Sequence, residues 1–495
     1  MPRERINLQQ KTCPNRENTI GSIKTFYGDI DTIIRETAEG TLKRSSRSFQ
    51  QSGGCVLTTG LFRLATLRGG VVLNHAPIGC ASMLYGYRLQ YNNIPQELGR
   101  PPIDFHWISS NLGEDDIVFG GEEKLKQTIL EAEKRYAPGA IFIITSCASG
   151  IMGDDVEGVI QALQPEIKAR LVPIHCEGFR SEVPQTGFDA IWHGILKYLV
   201  EEPKEKQEDL VNLAVPFSVT WGDRQELIRL LARLGLRVNC IPELATVEQL
   251  KSLGEAALTV TTCNSFGTYL QQALYERYGV PYVKNPIPIG INQTAEWLRR
   301  VAEATGRSHL VERIIQEELE LINPQIENLK KRIDARKSSF FISAGQGRAV
   351  SLPLLARELG MEISGISSLE YDEENFAELT NIREKCGDYK FHVAEYQAFE
   401  QSAIIDELKP DIYFGCAFIG SVYKRDAGLA RMHSYRSDFS SFGQQFGFRG
   451  AVAYGHVILR ALSNHSLNRK LGQHLPKPYK SWWKDQNPLS YVKEN

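Results

Sequence analysis

The sequence predicts an α/β fold: three blocks of parallel sheet with helices on both faces. Three observations carry this. Short β-branched apolar runs alternate with helical patterns through most of the chain. Helical patterns end in glycine-containing stops that run directly into the next strand. The length of 495 residues exceeds what one hydrophobic core accommodates.

The elements follow in order. VVLNHA (71–76) and AIFIITSC (140–147) read as buried strands, each followed by a helical stretch. FSVTWG (217–222) reads as a strand before QELIRLLARLG, whose apolar residues recur at three and four. ALTVTTC (257–263) precedes GTYLQQALYERYG, and SSFFISAG (338–345) precedes VSLPLLARELG. DIYFGCAF (411–418) is a further strand. The stops RLGLRV, RYGVPY and ELGMEI each launch a strand. Strand–helix alternation of this kind builds parallel sheets. The charged run VEEPKEKQEDL (200–210) and the helical stretch 309–337 punctuate the chain. They suggest domains at 1–210, 211–325 and 326–495.

Composition narrows the function. Hydrophobic residues make up 42% and charged residues 23%, and the net charge is −2. No basic field points to nucleic acid. The polar start MPRERINLQQKTC has no apolar signal region and no run is long enough to span a bilayer, so a cytoplasmic protein is expected. In that compartment disulfides are rare, which leaves nine cysteines to explain. None forms a CxxC pair, so zinc ribbons and ferredoxin-type clusters are disfavoured, and any metal ligands must converge from distant segments.

Position is more informative than number. In open α/β sheets functional residues sit beyond the carboxyl ends of strands. Cys55 follows Gly53 and Gly54, Cys80 lies in HAPIGC after a strand, Cys147 ends AIFIITSC, and Cys263 ends ALTVTTC. A helix N-terminus favours the thiolate, the soft form that selects iron–sulfur clusters. Taken singly, each cysteine is more readily a small core hydrophobe than a ligand. Cys240 fits a strand core, and Cys13 and Cys386 stand in polar surroundings. Cys176 and Cys416 are open to either reading, and His433 alone is weak.

The segments GGC (53–55), HAPIGCASMLYGYR (75–88), NLGEDDIVFGGEEKL (111–125), TSCASGIMGDDVEGV (145–159), HCEGFR (175–180), TTCNSFGTYLQQALYERYGVPY (261–282) and RMHSYRSDF (431–439) together resemble component 1 of nitrogenase over nearly the full chain. The resemblance implies three Rossmann-like parallel-sheet domains. It implies that Cys55, Cys80 and Cys147 are the α-side ligands of a P-cluster-type [8Fe–7S] cluster shared with a β-type subunit. It implies further that Cys263 and His433 anchor a large iron–sulfur cofactor. β-type subunits lack that pair, and the maturation scaffolds usually lack the histidine, so an α-type subunit is expected. The implied assembly is α2β2, served by an ATP-dependent iron–sulfur reductase dimer. The chain has no GxxxxGK[ST] phosphate loop of its own, in keeping with ATP use on that partner.

Departures from the family pattern concern the cofactor pocket. Where nitrogenases follow CEGFR with a histidine that hydrogen-bonds the cofactor, Phe188 stands here, and neither Asp189 nor His193 restores the imidazole. Phenylalanine cannot donate or carry a proton. Ile419 aligns with a lysine that helps bind homocitrate. Ser343, Ala344 and Gln346 take the places of paired glycines and an arginine, while Arg348 and Arg88 have counterparts. Arg88, Phe188 and Gln346 are therefore the candidate pocket residues. A pocket poorer in protons and positive charge implies an iron-only cofactor without homocitrate. By elimination the nearest branch is the methylthio-alkane reductases, which cleave carbon–sulfur bonds to release methanethiol and a hydrocarbon. A nitrogenase α subunit and a cofactor-assembly scaffold are the alternatives.

Overall fold

The computed structural model describes residues 5–18, 23, 25–42, 54–82, 105–215, 219–373, 376–394, 397–415, 430–432 and 444–463. Among these, fourteen strands occur in the order β1 (Thr25–Asp29), β2 (Gly70–His75), β3 (His106–Ser109), β4 (Ala140–Thr145), β5 (Arg170–Ile174), β6 (Gln207–Val215), β7 (Arg237–Pro242), β8 (Ala256–Thr261), β9 (Tyr282–Val283), β10 (Ser339–Ala344), β11 (Glu362–Ser368), β12 (Lys390–Ala394), β13 (Ile412–Gly415) and β14 (Ala430–Met432). They form three sheets, in the orders β3-β2-β4-β5, β7-β6-β8-β9 and β1-β12-β11-β10-β13-β14. All pairings are parallel except β1 with β12. The expected α/β class with parallel sheets is what the chain adopts.

Side-chain alternation explains how each sheet is covered on both faces. In the first sheet, Val71, Leu73, Ile141 and Ile143 face one apolar cluster, while Val72, Phe142 and Ile144 face another. The second cluster continues into the helices Val56–Leu64, Thr186–Tyr198 and Asn264–Tyr278, and the last of these belongs to the second sheet. The largest cluster joins the second and third sheets through the helices Ile291–Ala304, Ser308–Asp334 and Gly447–Ser463. At the crossing of the last two, Gly455 brings the backbone against Leu329.

Two expectations meet a different arrangement. The strand expected at 217–222 lies earlier, at β6, and residues 219–222 lead into the Trp221–Arg233 helix. Thr220 and Asp223 explain this, because they form a reciprocal capping box, a helix-start signal that outweighs the β-branched residues around it. The charged residues 207–210 are the outer end of β6, whose apolar half fills the sheet interior. The long charged stretch at 309–337 is one helix of 27 residues, Ser308–Asp334. No helix among the described residues is long and apolar enough to cross a membrane.

Candidate functional site

The cysteines singled out above sit at carboxyl edges of parallel strands. Cys55 caps the N-terminus of the Val56–Leu64 helix, where the Thr58 side chain bonds its amide at 2.8 Å. Cys80 lies in the Ile78–Ser82 turn of helix just after β2. Cys147 opens the Cys147–Met152 helix just after β4. All three belong to the first sheet or the helices against it.

The loop 175–180 draws them together. Thr145 bonds the Glu177 carboxylate at 2.7 Å, and His175 bonds Glu157 at 2.6 Å, fixing the loop against β4. The Gly178 amide then donates to the Cys147 sulfur at 3.1 Å. A side chain at Gly178 would have its Cβ 3.0 Å from the Cys147 sulfur and 3.5 Å from that of Cys55. Glycine lets the loop approach both thiols closely, since a side chain there would crowd them. Burial raises the Cys80 thiol pKa, and the negative charges of Cys55 and Cys147 raise it further, so the three sulfurs share one electrostatic site. Such mutual repulsion is relieved by a cation or a metal cage. No group of three His, Cys, Asp or Glu among the described residues is drawn close enough to grip a single metal ion. Three separated thiols at a surface suit a multi-atom cluster better than one zinc. Cys147 is exposed, and the surrounding rim is apolar: Ile78, Ile151 and Phe179 are 60%, 76% and 61% exposed.

Cys263 forms a second, deeper site. It follows β8 and caps the Asn264–Tyr278 helix, with its amide bonded to Thr261 at 3.1 Å. Gln346 and Arg348 arrive from the short Gln346–Ala349 helix after β10. Between them, Gly347 packs against Cys263, since a Cβ there would lie 3.3 Å from the Cys263 Cα and 3.7 Å from its sulfur. Gln346 is buried, with its amide near the Asp372 carbonyl at 3.4 Å. Arg348 donates to Gln445 at 3.0 Å and lies over Phe446. Burial pushes the Cys263 thiol up, while an amide bond from Phe266 and the charges of Arg348 and Arg63 oppose it.

Phe188 reaches this site from the Thr186–Tyr198 helix. It is buried and meets Phe266 edge-on at 5.4 Å. Asp189 turns away, into a pair with Arg16 at 2.8 Å. His193 also turns away: it bonds Tyr269 at 2.7 Å and the Gln10 carbonyl at 3.0 Å, and burial draws its pKa down to about 4. Phe188 thus meets Phe266, in the first turn of the helix that Cys263 caps, and Gln346 adjoins the Gly347 that packs against Cys263. Arg88, Ile419, Cys416 and His433 lie outside the described residues; β14 ends at Met432, one position before His433. Cys13 and Cys176 are buried behind the first site, and burial pushes the Cys13 thiol up to about 12.

Two residues went unmarked in the sequence. Arg16 donates to Asp189, to Glu370 and to the Ser265 carbonyl, joining all three sheet units beside Cys263. Arg63, 9% exposed in the last turn of the helix that Cys55 caps, lies over the Phe188 ring. A signal did exist for Arg63. It is the lone charge in VLTTGLFRL, an otherwise apolar helix.

The family profile of nitrogenase component 1 type oxidoreductases matches residues 55–463. The chain belongs to this family. It is 29% identical over 426 residues to the nitrogenase iron-molybdenum cofactor biosynthesis protein NifE of Methanococcus maripaludis, covering 85% of each chain. It is 29% identical over 388 residues to the nitrogenase molybdenum-iron protein alpha chain of Methanothermobacter thermautotrophicus, covering 76% of this chain and 80% of that one. The fold resembles the solved structure "Nitrogenase Cp1 at pH 5", with a TM-score of 0.71 and 20% identity, covering 92% of this chain and 95% of that one. The chain is therefore a component 1 type subunit of the oxidoreductase class.

Proposed function

We propose that this chain is the cofactor-carrying α-type subunit of a nitrogenase-like reductase that cleaves carbon–sulfur bonds of small methylthio-alkanes. The observation that supports the reading is Phe188: a buried ring with no proton to give stands against Phe266, in the first turn of the helix that Cys263 caps. Repeated protonation of a poorly basic dinitrogen ligand is ill served by such a pocket, whereas a small, partly apolar thioether fits it. The balanced reaction takes a methylthio-alkane, two electrons and two protons to methanethiol and the alkane.

Cys55, Cys80 and Cys147 would hold this chain's share of a P-cluster-type [8Fe–7S] cluster. The exposed Ile78, Ile151 and Phe179 around them support a β-type partner that completes the ligand set and covers the apolar rim in an α2β2 assembly. Cys263 and His433 would hold the large cofactor, read here as iron-only and without homocitrate. When bound, these groups supply electron relay and storage, with electrons drawn from an ATP-dependent iron–sulfur reductase dimer. Phe188 and Phe266 exclude water from the Cys263 side, Gly347 leaves room beside the thiol, and Gln346 and Arg88 are the polar pocket residues. A cytoplasmic setting and domain borders near 210 and 325 complete the proposal.

A second reading, a cofactor-assembly scaffold, is favoured by the likeness to NifE. The deciding experiment is anaerobic purification of the chain with its partner, metal analysis, and turnover of methylthioethanol, acetylene and dinitrogen. Iron without molybdenum or vanadium, with methanethiol formed, supports the reductase. Cluster transfer to an apo-nitrogenase without turnover supports the scaffold. Stoichiometric molybdenum with dinitrogen reduction supports a nitrogenase α subunit.

A further inference from the structure

We propose that Arg63, seated on the ring of Phe188, is a fixed cation of the Cys263 site and tunes the charge balance of the electron-accepting group held there. The inference rests on the proposed function, because it takes Cys263 to anchor such a group.

The geometry is specific. The Arg63 guanidinium carbon stands 4.5 Å from the Phe188 ring centroid and 5.7 Å from that of Phe266. These rings meet edge-on, forming a corner into which the planar cation fits. Phe266 lies in the first turn of the helix that Cys263 caps, so the corner is part of the Cys263 site. Two other guanidiniums stand nearby: Arg16 lies 5.7 Å from the Phe188 centroid and is paired with Asp189 and Glu370, and Arg348 donates to Gln445. Arg63 comes from the far end of the Cys55 helix, where a cation also complements the helix carbonyl end.

The chemistry differs from that of a pocket histidine. A guanidinium keeps its proton throughout the working range, so it offers charge and hydrogen bonds but does not deliver protons. Phe188 is then more than a missing imidazole. It is the seat that holds a permanent cation where a titratable one is absent. In a water-poor site a positive charge lowers the energy of the reduced, more negative state and raises its reduction potential.

The test is a redox titration, followed by electron paramagnetic resonance, of the anaerobically purified complex carrying wild-type, R63K, R63M or R63Q chains. R63M and R63Q move the midpoint of the Cys263-dependent signal to more negative potential. At a fixed applied potential near the wild-type midpoint, the reduced-to-oxidised ratio falls by at least about threefold. R63K retains most of the wild-type value, and the signal dependent on Cys55, Cys80 and Cys147 does not move. Methionine keeps the bulk of the stem, so R63M preserves packing if R63Q fails to fold. An unmoved midpoint in R63M on a signal abolished by Cys263→Ser overturns this inference alone. A wild-type complex with no Cys263-dependent signal overturns the proposed function, and this inference with it.

Discussion

Arg16→Met tests how the site is held together. Arg16 makes two hydrogen bonds to Asp189, at 2.9 and 2.8 Å, one to Glu370 at 3.1 Å, and one to the Ser265 carbonyl. All three charged side chains are buried. Removing the cation leaves two buried carboxylates without its compensation, which costs about 3–5 kcal/mol. The deficit has a defined pH dependence. Burial already holds the Glu370 carboxyl above its ordinary range, and the positive charge of Arg16 opposes that rise. A group whose folded pKa exceeds its unfolded one stabilises the fold below the unfolded value and withdraws that stability as pH rises through the folded value. Without Arg16 the folded pKa rises further. The deficit is therefore small near the ordinary glutamate value of about 4.3 and grows towards neutrality. Urea unfolding of the full chain reads this out through Trp192, which lies three residues from Asp189 and bonds the Phe266 carbonyl. The double variant R16M/E370Q recovers part of the loss, because one orphaned charge is gone. A deficit below about 1 kcal/mol, or one equal at acid and neutral pH, refutes the reasoning.

Other consequences are simpler. Gly187→Ala places a Cβ against the Val56 carbonyl oxygen and 2.8 Å from the Gly60 nitrogen, so the helices that carry Phe188 and Arg63 must separate. A stability loss of about 1–3 kcal/mol in denaturant unfolding is expected. His193→Gln reduces acid sensitivity. Burial lowers the His193 pKa from 6.5 to about 4, so the wild-type histidine contributes stability above its unfolded pKa that is lost as pH falls through this window. That loss amounts to roughly 3 kcal/mol, and urea midpoints measured across the window in wild-type and H193Q chains check it. Phe179→Asp, on the exposed rim beside Gly178, leaves folding intact by circular dichroism and abolishes co-purification with the β-type partner.

Much of the fold was legible because buried parallel strands leave nearly continuous apolar runs. β4 and β8 stand almost where the runs AIFIIT and ALTVT put them. Cys147 and Cys263 were legible for the same reason: each ends an apolar run that a helical pattern follows, and each opens or caps a helix in the structure. β6 was misplaced because its outer half carries charge and the run with Val219 and Thr220 after it reads as β-branched strand although it starts a helix. The partners of Arg16 lie 173 and 354 residues away, a separation at which no local pattern carries information. Gly178 reads as an ordinary loop glycine until two sulfurs are found in the space its side chain would take.

Phe188 shows where reading residues singly misleads. In the sequence it registers only as a lost proton donor, and with Ile419 it suggests a pocket stripped of polarity. In the structure two guanidiniums lie over its ring: Arg63 at 4.5 Å and Arg16 at 5.7 Å. On the proposed reading, the site holds permanent charge where the family pattern has a titratable group. That exchange separates two tasks a histidine combines, stabilising negative charge and supplying protons. Bond cleavage that expels a thiolate calls on the first task as the bond breaks, and only two protons in all, one to the sulfur and one to the carbon, complete methanethiol and the alkane. Reduction of dinitrogen calls on the second at every step. The nine-residue Val56–Leu64 helix gives the arrangement its economy. At 1.5 Å per residue it sets Arg63 roughly 12 Å from Cys55, so one rigid element fixes the cation of the inner site relative to the thiol of the outer one.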